Sequence, residues 1–160
     1  MDDRRRLMIL GGLALAGGTS LPALAQEPNM AERFAARLNA HDIAGFAALF
    51  ADDYINNQAS AAAPARKELS AKQATVAFFQ ARLAAMPDLQ VGIETQVSQG
   101  DKVAASFVYN GTHKGPYFGI APTGRHLRFT SCDIFRVKAG LIAEHWGMGD
   151  IAGVMAQLKG

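Results

Sequence analysis

The hydrophobic period of the chain changes at about Pro87, and this change constrains the fold more than any other feature of the sequence. Before Pro87, apolar residues recur at helical spacing; after it, they alternate with polar residues at the period of a β-strand. Helices are therefore expected first and strands afterwards, rather than the two in alternation. Grouped elements of this kind predict an α+β fold with an antiparallel sheet and disfavour a doubly wound parallel sheet.

The helical part of the sequence contains three expected helices, each with a capping residue. Asn29 can cap the first helix, which runs to about Ala40, because its side-chain oxygen can accept from the free amides of the first turn. Asp42 caps a short second helix, and residues 52–57 leave it in an extended form. A capping box at Ser70 begins the third helix, which carries an apolar stripe formed by Val76, Phe79, Leu83 and Met86.

The remaining part of the sequence predicts an antiparallel meander of at least four strands and a last helix. The expected strands cover residues 89–97, 102–113, 127–137 and 141–148. Asp150 can cap the final helix. A sheet of this kind that curls around the helices would leave a cone-shaped cavity.

Composition indicates a small globular domain and excludes several classes of protein. Of the 160 residues, 49% are hydrophobic, which suits a packed core and is too high for intrinsic disorder. The formal net charge is only +2, with Lys and Arg scattered, so no nucleic-acid partner is expected. The single cysteine, Cys132, excludes an intramolecular disulfide and a cysteine-based zinc site. The sequence also lacks a nucleophile elbow, a phosphate-binding loop and a His-Glu-x-x-His zinc motif.

The first 25 residues have the features of an export signal peptide of the twin-arginine type. Arg4–Arg6 form a basic segment, Leu7–Ala16 is apolar, and Ala23–Ala25 gives a small-x-small cleavage pattern. The apolar stretch is too short and glycine-rich for a membrane span of about 20 residues. We therefore expect a periplasmic or secreted protein in which residues 26–160 form one domain. The alternative is an uncleaved anchor or a disordered tail.

Asp133 is the most informative polar residue of the strand segments. Because strand side chains alternate, it shares one face with mostly apolar residues, namely Leu127, Phe129, Ser131, Phe135 and Val137. A carboxylate on such a face is costly unless it is paired or protonated, and general acids and bases occupy positions of this kind. The alternative is a structural hydrogen bond at a strand crossing, and the pattern alone does not decide between them.

His113 is the second candidate for proton transfer. It ends the preceding strand, on a face that also carries Val103, Ala105, Phe107 and Tyr109. It is a candidate proton partner for Asp133 or a candidate donor to a substrate. The alternative is a histidine whose hydrogen bonds serve only the structure.

The sequence does not decide how the last strand pairs with the strand that carries Asp133. Glu144 and Trp146 share one face of it, and His145 points to the other. If Phe135 lies opposite Glu144, then Asp133 faces Trp146; a tighter turn before the strand would place His145 opposite Asp133 instead. Trp146 is expected to form a pocket wall rather than to act as a catalyst.

Several segments together resemble one known family. The glycine-rich stretch Gly111–Arg125 is similar to the motif of the SnoaL-like polyketide cyclases, also called ester cyclases. The segments Met86–Leu89, Asp133–Arg136 and Ile142–Gly147 lie where that family has their counterparts. The resemblance extends in one register from about residue 31 to residue 158.

The resemblance implies an NTF2-like fold, a cone in which a curved antiparallel sheet is wrapped by N-terminal helices around a deep pocket. It also implies acid/base chemistry without a metal or an organic cofactor. In the cyclases of this family, an aspartate closes a ring of an anthracycline precursor ester by an intramolecular aldol reaction. Asp133 matches that aspartate, and His113 matches the pocket histidine of the glycine-rich motif. Asn57 departs from the pattern, since many relatives carry a histidine there.

From these observations we expect a cofactor-free enzyme that acts on a small, largely apolar carbonyl or ester compound by aldol cyclisation, isomerisation or hydrolysis. Asp133 is expected as the general base or acid, with His113 assisting. The expected pocket residues are Tyr54, Asn57, Phe118, Phe129, Glu144 and Trp146. The alternative is a non-catalytic periplasmic binder of a small apolar ligand in the same pocket. A homodimer formed through the sheet is expected, because that arrangement is common in this fold.

Overall fold

The computed structural model describes residues 27–58 and 68–160 of the chain. The expected export segment, residues 1–25, lies outside the described residues. The described part has the predicted α+β architecture, a curved and unclosed five-stranded sheet with helices packed against it. None of the described helices is long and apolar enough to cross a membrane.

The helices and strands follow the predicted order. They are α1 (Met30–Asn39), α2 (Ile43–Ala47), β1 (Phe50–Asn56), α3 (Ala71–Ala85), β2 (Gln90–Gln99), β3 (Lys102–Thr112), β4 (His126–Lys138), β5 (Leu141–Gly149) and α4 (Ile151–Lys159). All four predicted N-caps are confirmed, at Asn29, Asp42, Ser70 and Asp150. In each, a side-chain oxygen accepts from a backbone amide of the first turn, which otherwise has no partner.

The sheet has the strand order β1-β5-β4-β3-β2. Strands β2 to β5 form the predicted antiparallel meander. The sequence predicted only that residues 52–57 are extended. In the structure, most of this segment belongs to a fifth strand, β1, which pairs parallel to β5. Only Phe50 and Tyr54 of β1 are buried, so this edge strand lacks the alternation that identified the others.

The core lies between the helices and one face of the sheet. Phe34 of α1 is at its centre, with its ring centroid 5.1–5.3 Å from four other rings, those of Phe46, Phe79, Phe107 and Phe135. These rings come from α2, α3, β3 and β4, so one side chain joins the helical layer to the sheet. Each aromatic contact contributes about 0.5–1.5 kcal/mol beyond the burial of its area.

A β-bulge interrupts β5 near its start. Ile142 and His145 are both buried. His145 is three positions after Ile142, so regular alternation would put the two side chains on opposite faces. The pairing with β4 shifts at this point, because Val137 pairs with Ile142 while Arg136 pairs with Glu144. The bulge therefore directs the His145 side chain into the interior.

Candidate active site

Asp133 lies on the inner face of β4 and is only 6% exposed. Its partner on β5 is Gly147, and His145 pairs with Phe135. Neither register considered from the sequence is found. The pairing at the start of β5 would place Trp146 opposite Asp133, and the bulge shifts the strand by one residue so that Gly147 takes that position. His145 instead reaches Asp133 diagonally across the two strands, from the same face of the sheet.

Asp133 and His145 form a buried hydrogen-bonded pair. His145 Nε2 is 2.8 Å from Asp133 Oδ1, and the two side chains are only 7% and 8% exposed. Ser131 Oγ donates to the other carboxylate oxygen, Oδ2, at 2.5 Å. On the far side of the imidazole, the Tyr54 hydroxyl lies 3.2 Å from His145 Nδ1. Both oxygens of the carboxylate and both nitrogens of the imidazole are thus engaged.

The directions of these hydrogen bonds form one consistent set. An ionised carboxylate only accepts, so His145 donates to it from Nε2. A neutral imidazole then accepts at Nδ1, which makes the Tyr54 hydroxyl a donor. Thr75 Oγ1 donates in turn to the Tyr54 oxygen at 3.4 Å. With Asp133 as the final acceptor, every donor in the network therefore has an acceptor.

Two buried tyrosines keep their protons at neutral pH. Burial raises the pKa of Tyr54 to about 12; the Thr75 hydrogen bond acts against this rise, and the negative charge of Asp133 adds to it. Burial also raises the pKa of Tyr109, whose hydroxyl lies 3.4 Å from Ser131 Oγ. Because the one hydrogen of Ser131 goes to Asp133, the Tyr109 hydroxyl is the donor in this contact.

The Asp133–His145 pair depends on a glycine. A Cβ atom at position 147 would stand 2.7 Å from His145 Nε2 and still closer to Asp133 Oδ1. Any other residue would therefore occupy the space where the hydrogen bond forms. Gly147 was not among the candidate site residues, although a glycine within a strand commonly marks a close approach between neighbouring groups.

Aromatic side chains and an arginine extend the site along the inner face of the sheet. Phe129 of β4 stacks on Tyr109 of β3, with centroids 5.0 Å apart and planes 7° from parallel. The guanidinium of Arg82, from α3, lies over both rings at 4.7 and 5.1 Å. Arg82 Nε also donates to the Tyr117 hydroxyl at 2.9 Å. Tyr117 belongs to the glycine-rich segment between β3 and β4, so that segment helps to hold Arg82.

Arg82 was missed from the sequence, although a signal for it was present. It follows Phe79 by three residues on α3, and residues with this spacing share one helix face. Phe79 was part of the predicted apolar stripe, and Arg82 is buried beside it, only 6% exposed. A charged residue on a predicted core stripe is the pattern that would have identified it.

Some of the expected pocket residues do lie with Asp133 in the interior. Tyr54 belongs to the hydrogen-bond network, and Phe129 forms the aromatic wall. Phe118 is half-buried in the glycine-rich segment, with its ring centroid 4.3 Å from that of Tyr117. It therefore borders the part of the site that contains Arg82.

Three other expected pocket residues lie outside the interior. Trp146 has the opposite orientation to His145 and packs with Arg136, whose guanidinium is 5.6 Å from the indole ring. Glu144 forms a salt bridge with the same arginine at 3.2 Å and accepts from Asn57 Nδ2 at 3.0 Å. The structure does not bring these side chains together with Asp133: the bulge places Glu144 and Trp146 on the outer face of the sheet, and Asn57 is exposed just after the end of β1.

His113 is fully buried but distant from Asp133 along the sheet. The β3 partner of Asp133 is Ala105, and His113 lies eight residues further, a path of roughly 26 Å at about 3.3 Å per residue. His113 Nδ1 accepts from the backbone amide of Thr123 at 3.2 Å, and Nε2 has no partner among the described residues. The structure therefore gives Asp133 a different imidazole partner from the one expected.

Within the two described segments, no group of three or more His, Cys, Asp or Glu side chains is arranged to hold a metal ion. The polar groups that face the interior near Asp133 are instead hydroxyls, one imidazole and one guanidinium. This set can accept, donate and hold protons and can bind an oxygen-rich ligand.

Comparison with known proteins gives a consistent result. A family model described as SnoaL-like polyketide cyclase matches residues 29–158. IdmH from Streptomyces antibioticus, a provisionally assigned polyketide cyclase, is 28% identical with a TM-score of 0.68, over 80% of this chain and 94% of IdmH. TsrD from Streptomyces laurentii is 27% identical with a TM-score of 0.69, over 80% of this chain and 90% of TsrD.

A third solved structure supports the fold alone. A protein with a ketosteroid isomerase-like fold from Catenulispora acidiphila, in complex with trimethylamine, is 19% identical with a TM-score of 0.63, over 82% of this chain and 93% of that one. The predicted NTF2-like fold is therefore confirmed. Among proteins with curated descriptions, none matches the chain.

Proposed function

Because the chain belongs to the SnoaL-like polyketide cyclase family, we propose that it is a cofactor-free acid/base enzyme acting on a small, largely apolar carbonyl or ester compound. The observation that carries the proposal is the buried Asp133–His145 pair, joined at 2.8 Å and supported on both sides by hydroxyl groups. Buried carboxylate–imidazole pairs with defined partners are typical of proton-transfer sites.

In the proposed reaction, Asp133 removes a proton from the carbon next to a substrate carbonyl. The proton passes to the carboxylate, and the electron pair of the broken C–H bond forms an enolate. In an aldol closure the enolate carbon then bonds to a second carbonyl carbon as its C=O π bond breaks, and the oxygen of that carbonyl takes up the proton held by Asp133, which restores the carboxylate. His145 orients the carboxylate, and Tyr54 fixes the imidazole tautomer that donates to it. Here His145 takes the role of proton partner that was expected for His113.

Deuterium exchange tests the base without knowledge of the natural substrate. We would incubate the protein with aryl β-keto esters and cyclic ketones in D₂O and follow loss of the α-proton by NMR, relative to buffer. The wild type should accelerate exchange for compounds that bind, and Asp133→Asn should reduce the rate by about 10²–10⁴-fold. Asp101→Asn is the matched control, because Asp101 is an exposed aspartate at the β2–β3 turn.

The outcomes separate the proposed enzyme from the alternative. Full exchange activity in a folded Asp133→Asn protein would contradict the role of Asp133. A compound that binds the wild type tightly but never exchanges its proton would favour the non-catalytic binder.

For the oligomeric state, we propose a homodimer formed through the outer face of the sheet. Cross-strand pairing places Val97, Ala104, Ile134 and Trp146 in one row across β2 to β5. Val97 is 68% exposed, and Met148 on the same face is 79% exposed. Exposed apolar residues grouped on one face are a common feature of interfaces.

Light scattering after gel filtration tests the dimer. Ile134→Lys should give a monomer, because it buries an unpaired charge in the proposed interface. Ile134→Leu is the matched control, because it keeps an apolar side chain of the same size at the same position. A wild-type monomer, or a dimer that survives Ile134→Lys, would contradict the proposal.

For localisation, we propose export with cleavage after Ala25. Support comes from the sequence only, from Arg4–Arg6 and the cleavage pattern. Expression of the full chain should yield a periplasmic protein that begins at Gln26, and replacing Arg4 and Arg5 by Lys should block this processing if the twin-arginine route is used. A protein that keeps Met1 would contradict the proposal.

A further inference from the structure

Arg82 is a buried cation without a carboxylate partner in the described part of the chain. It is 6% exposed, and it is the only Lys or Arg among the buried residues described. Its one hydrogen bond goes to a neutral acceptor, the Tyr117 hydroxyl. The negative charge of Asp133 acts on Arg82, but no carboxylate is hydrogen-bonded to it among the described residues. Burying an ion without a directly bonded opposite charge is costly, so a guanidinium in this position requires an explanation beyond packing.

The surroundings of Arg82 leave one edge of the guanidinium available. Aromatic rings enclose its faces, with centroids 4.7–5.1 Å from Cζ, and these belong to Phe78, Phe79, Tyr109 and Phe129. Nε is occupied by Tyr117, whereas Nη1 and Nη2 donate to no described residue. Both nitrogens keep some solvent-accessible surface.

We propose that Arg82 binds the carboxylate of the substrate, which is therefore a small aromatic or alicyclic carboxylic acid with a carbonyl group, such as a keto acid. Nη1 and Nη2 form a planar pair of donors that matches the two oxygens of a carboxylate. The stacked rings of Tyr109 and Phe129 offer a flat apolar surface for the body of the ligand. The inference rests on the proposed function in one respect, that the bound acid is the molecule on which Asp133 acts.

The position of Arg82 indicates that it binds a carboxylate at one end of the ligand, rather than the oxygen of the carbonyl group that reacts at Asp133. Phe129 lies under Arg82, and Asp133 follows it by four residues on the same strand, roughly 13 Å at about 3.3 Å per residue. Tyr109 and Ser131 connect the two positions through hydroxyl contacts of 3.4 and 2.5 Å. Arg82 is thus placed to hold one end of a ligand while the other end reaches the base.

The charge of the site favours a single negative charge on the ligand. Arg82 is the only buried guanidinium or ammonium group among the described residues, and Asp133 is the only buried carboxyl group among them. A phosphate monoester would bring close to two negative charges with one cation to receive them. A monocarboxylate is therefore the anionic class that this site fits.

Binding of model acids tests the proposal directly. The probes are benzoate and 2-naphthoate, each compared with its own carboxamide, which has the same shape and no charge. Calorimetric titration at constant ionic strength should give at least about tenfold tighter binding of each acid by the wild type. Arg82→Met should abolish this preference, and Arg82→Lys should keep part of it. Equal binding of acid and amide, or an acid preference that survives Arg82→Met, would overturn the proposal.

Thermal stability separates a binding role from a structural one. If the guanidinium serves the ligand, Arg82→Met removes a buried charge that has no hydrogen-bonded carboxylate and should leave Tm unchanged or raised. A large fall in Tm, or failure to fold, would assign Arg82 to the structure and overturn the proposal. Asp133→Asn should abolish proton exchange but leave acid binding intact, so failure of the proposed reaction and failure of the acid site are distinguishable.

Discussion

The hydrogen bond between Asp133 and His145 should be lost when a single methyl group is added at Gly147. In the structure, a Cβ at this position lies 2.7 Å from His145 Nε2, inside the 3.0 Å limit of ordinary carbon contacts. It comes still closer to Asp133 Oδ1. Because both neighbours are buried ends of one hydrogen bond, Gly147→Ala cannot be accommodated without separating them.

The expected loss of stability follows from two contributions. Inserting a methyl group into a packed site typically costs about 1–3 kcal/mol. Breaking a hydrogen bond to a charged group adds about 1.5–3 kcal/mol, with overlap between the two because the movement that relieves the clash is the one that breaks the bond. We therefore expect the free energy of unfolding to fall by about 2–4 kcal/mol. With a urea m-value of about 2 kcal/mol/M, the unfolding midpoint falls by about 1–2 M.

Gly149→Ala provides the matched control on the same strand. A Cβ at Gly149 meets only Ile151 Cδ1, at an ordinary contact distance of 3.7 Å. The control should therefore change stability by less than about 0.5 kcal/mol. Neither glycine has a positive φ, so backbone strain does not distinguish the two variants.

Two measurements together decide the outcome. Urea unfolding gives the stability of each variant, and ¹H–¹⁵N correlation of the imidazole shows whether His145 Nε2 still donates to Asp133. We expect loss of both in Gly147→Ala and of neither in Gly149→Ala. Equal stability of the two variants, with the imidazole signal unchanged, would refute the argument that Gly147 makes room for the pair.

Three further predictions follow from the core and the network. Phe34→Ala should lower the free energy of unfolding by about 3–5 kcal/mol in urea titration, because Phe34 is 2% exposed and contacts four rings; a loss below 1 kcal/mol would contradict its central position. Ser131→Ala should cost about 1.5–3 kcal/mol, since it removes a donor from the buried carboxylate of Asp133, and Ser106→Ala, on the outer face of β3, is the control. Because the folded protein raises the pKa of Tyr54 from 10 to about 12, the stability associated with its proton is complete below pH 10 and lost as pH rises towards 12. The urea midpoint should fall over that range, and it should fall less in Tyr54→Phe; identical pH profiles would contradict the burial of Tyr54.

Much of the fold was predictable because its signals are local. The four N-caps, the strands after Pro87 and the inward orientation of Asp133 each follow from residues close together in sequence. The parallel pairing of β1 with β5 was not predictable in this way, since β1 carries only two buried residues and its partner is distant in the chain. Predicting Arg82 as a site residue required recognising that it lies on the buried face of α3, where a charged side chain is unusual.

The orientations of Glu144, His145 and Trp146 have a single cause, one extra residue in β5. Val137 and Arg136 are adjacent on β4, yet they pair with Ile142 and Glu144, so Ala143 is left without a partner. Strict alternation from the buried Ile142 would have turned Glu144 and Trp146 inwards, as the sequence analysis expected. The extra residue reverses the remainder of the strand, so that His145 points into the core. Glu144 and Trp146 pack instead with Arg136 on the outer face. The Asp133–His145 pair is thus set by a bulge, a feature of the pairing between strands that the pattern of one strand does not encode.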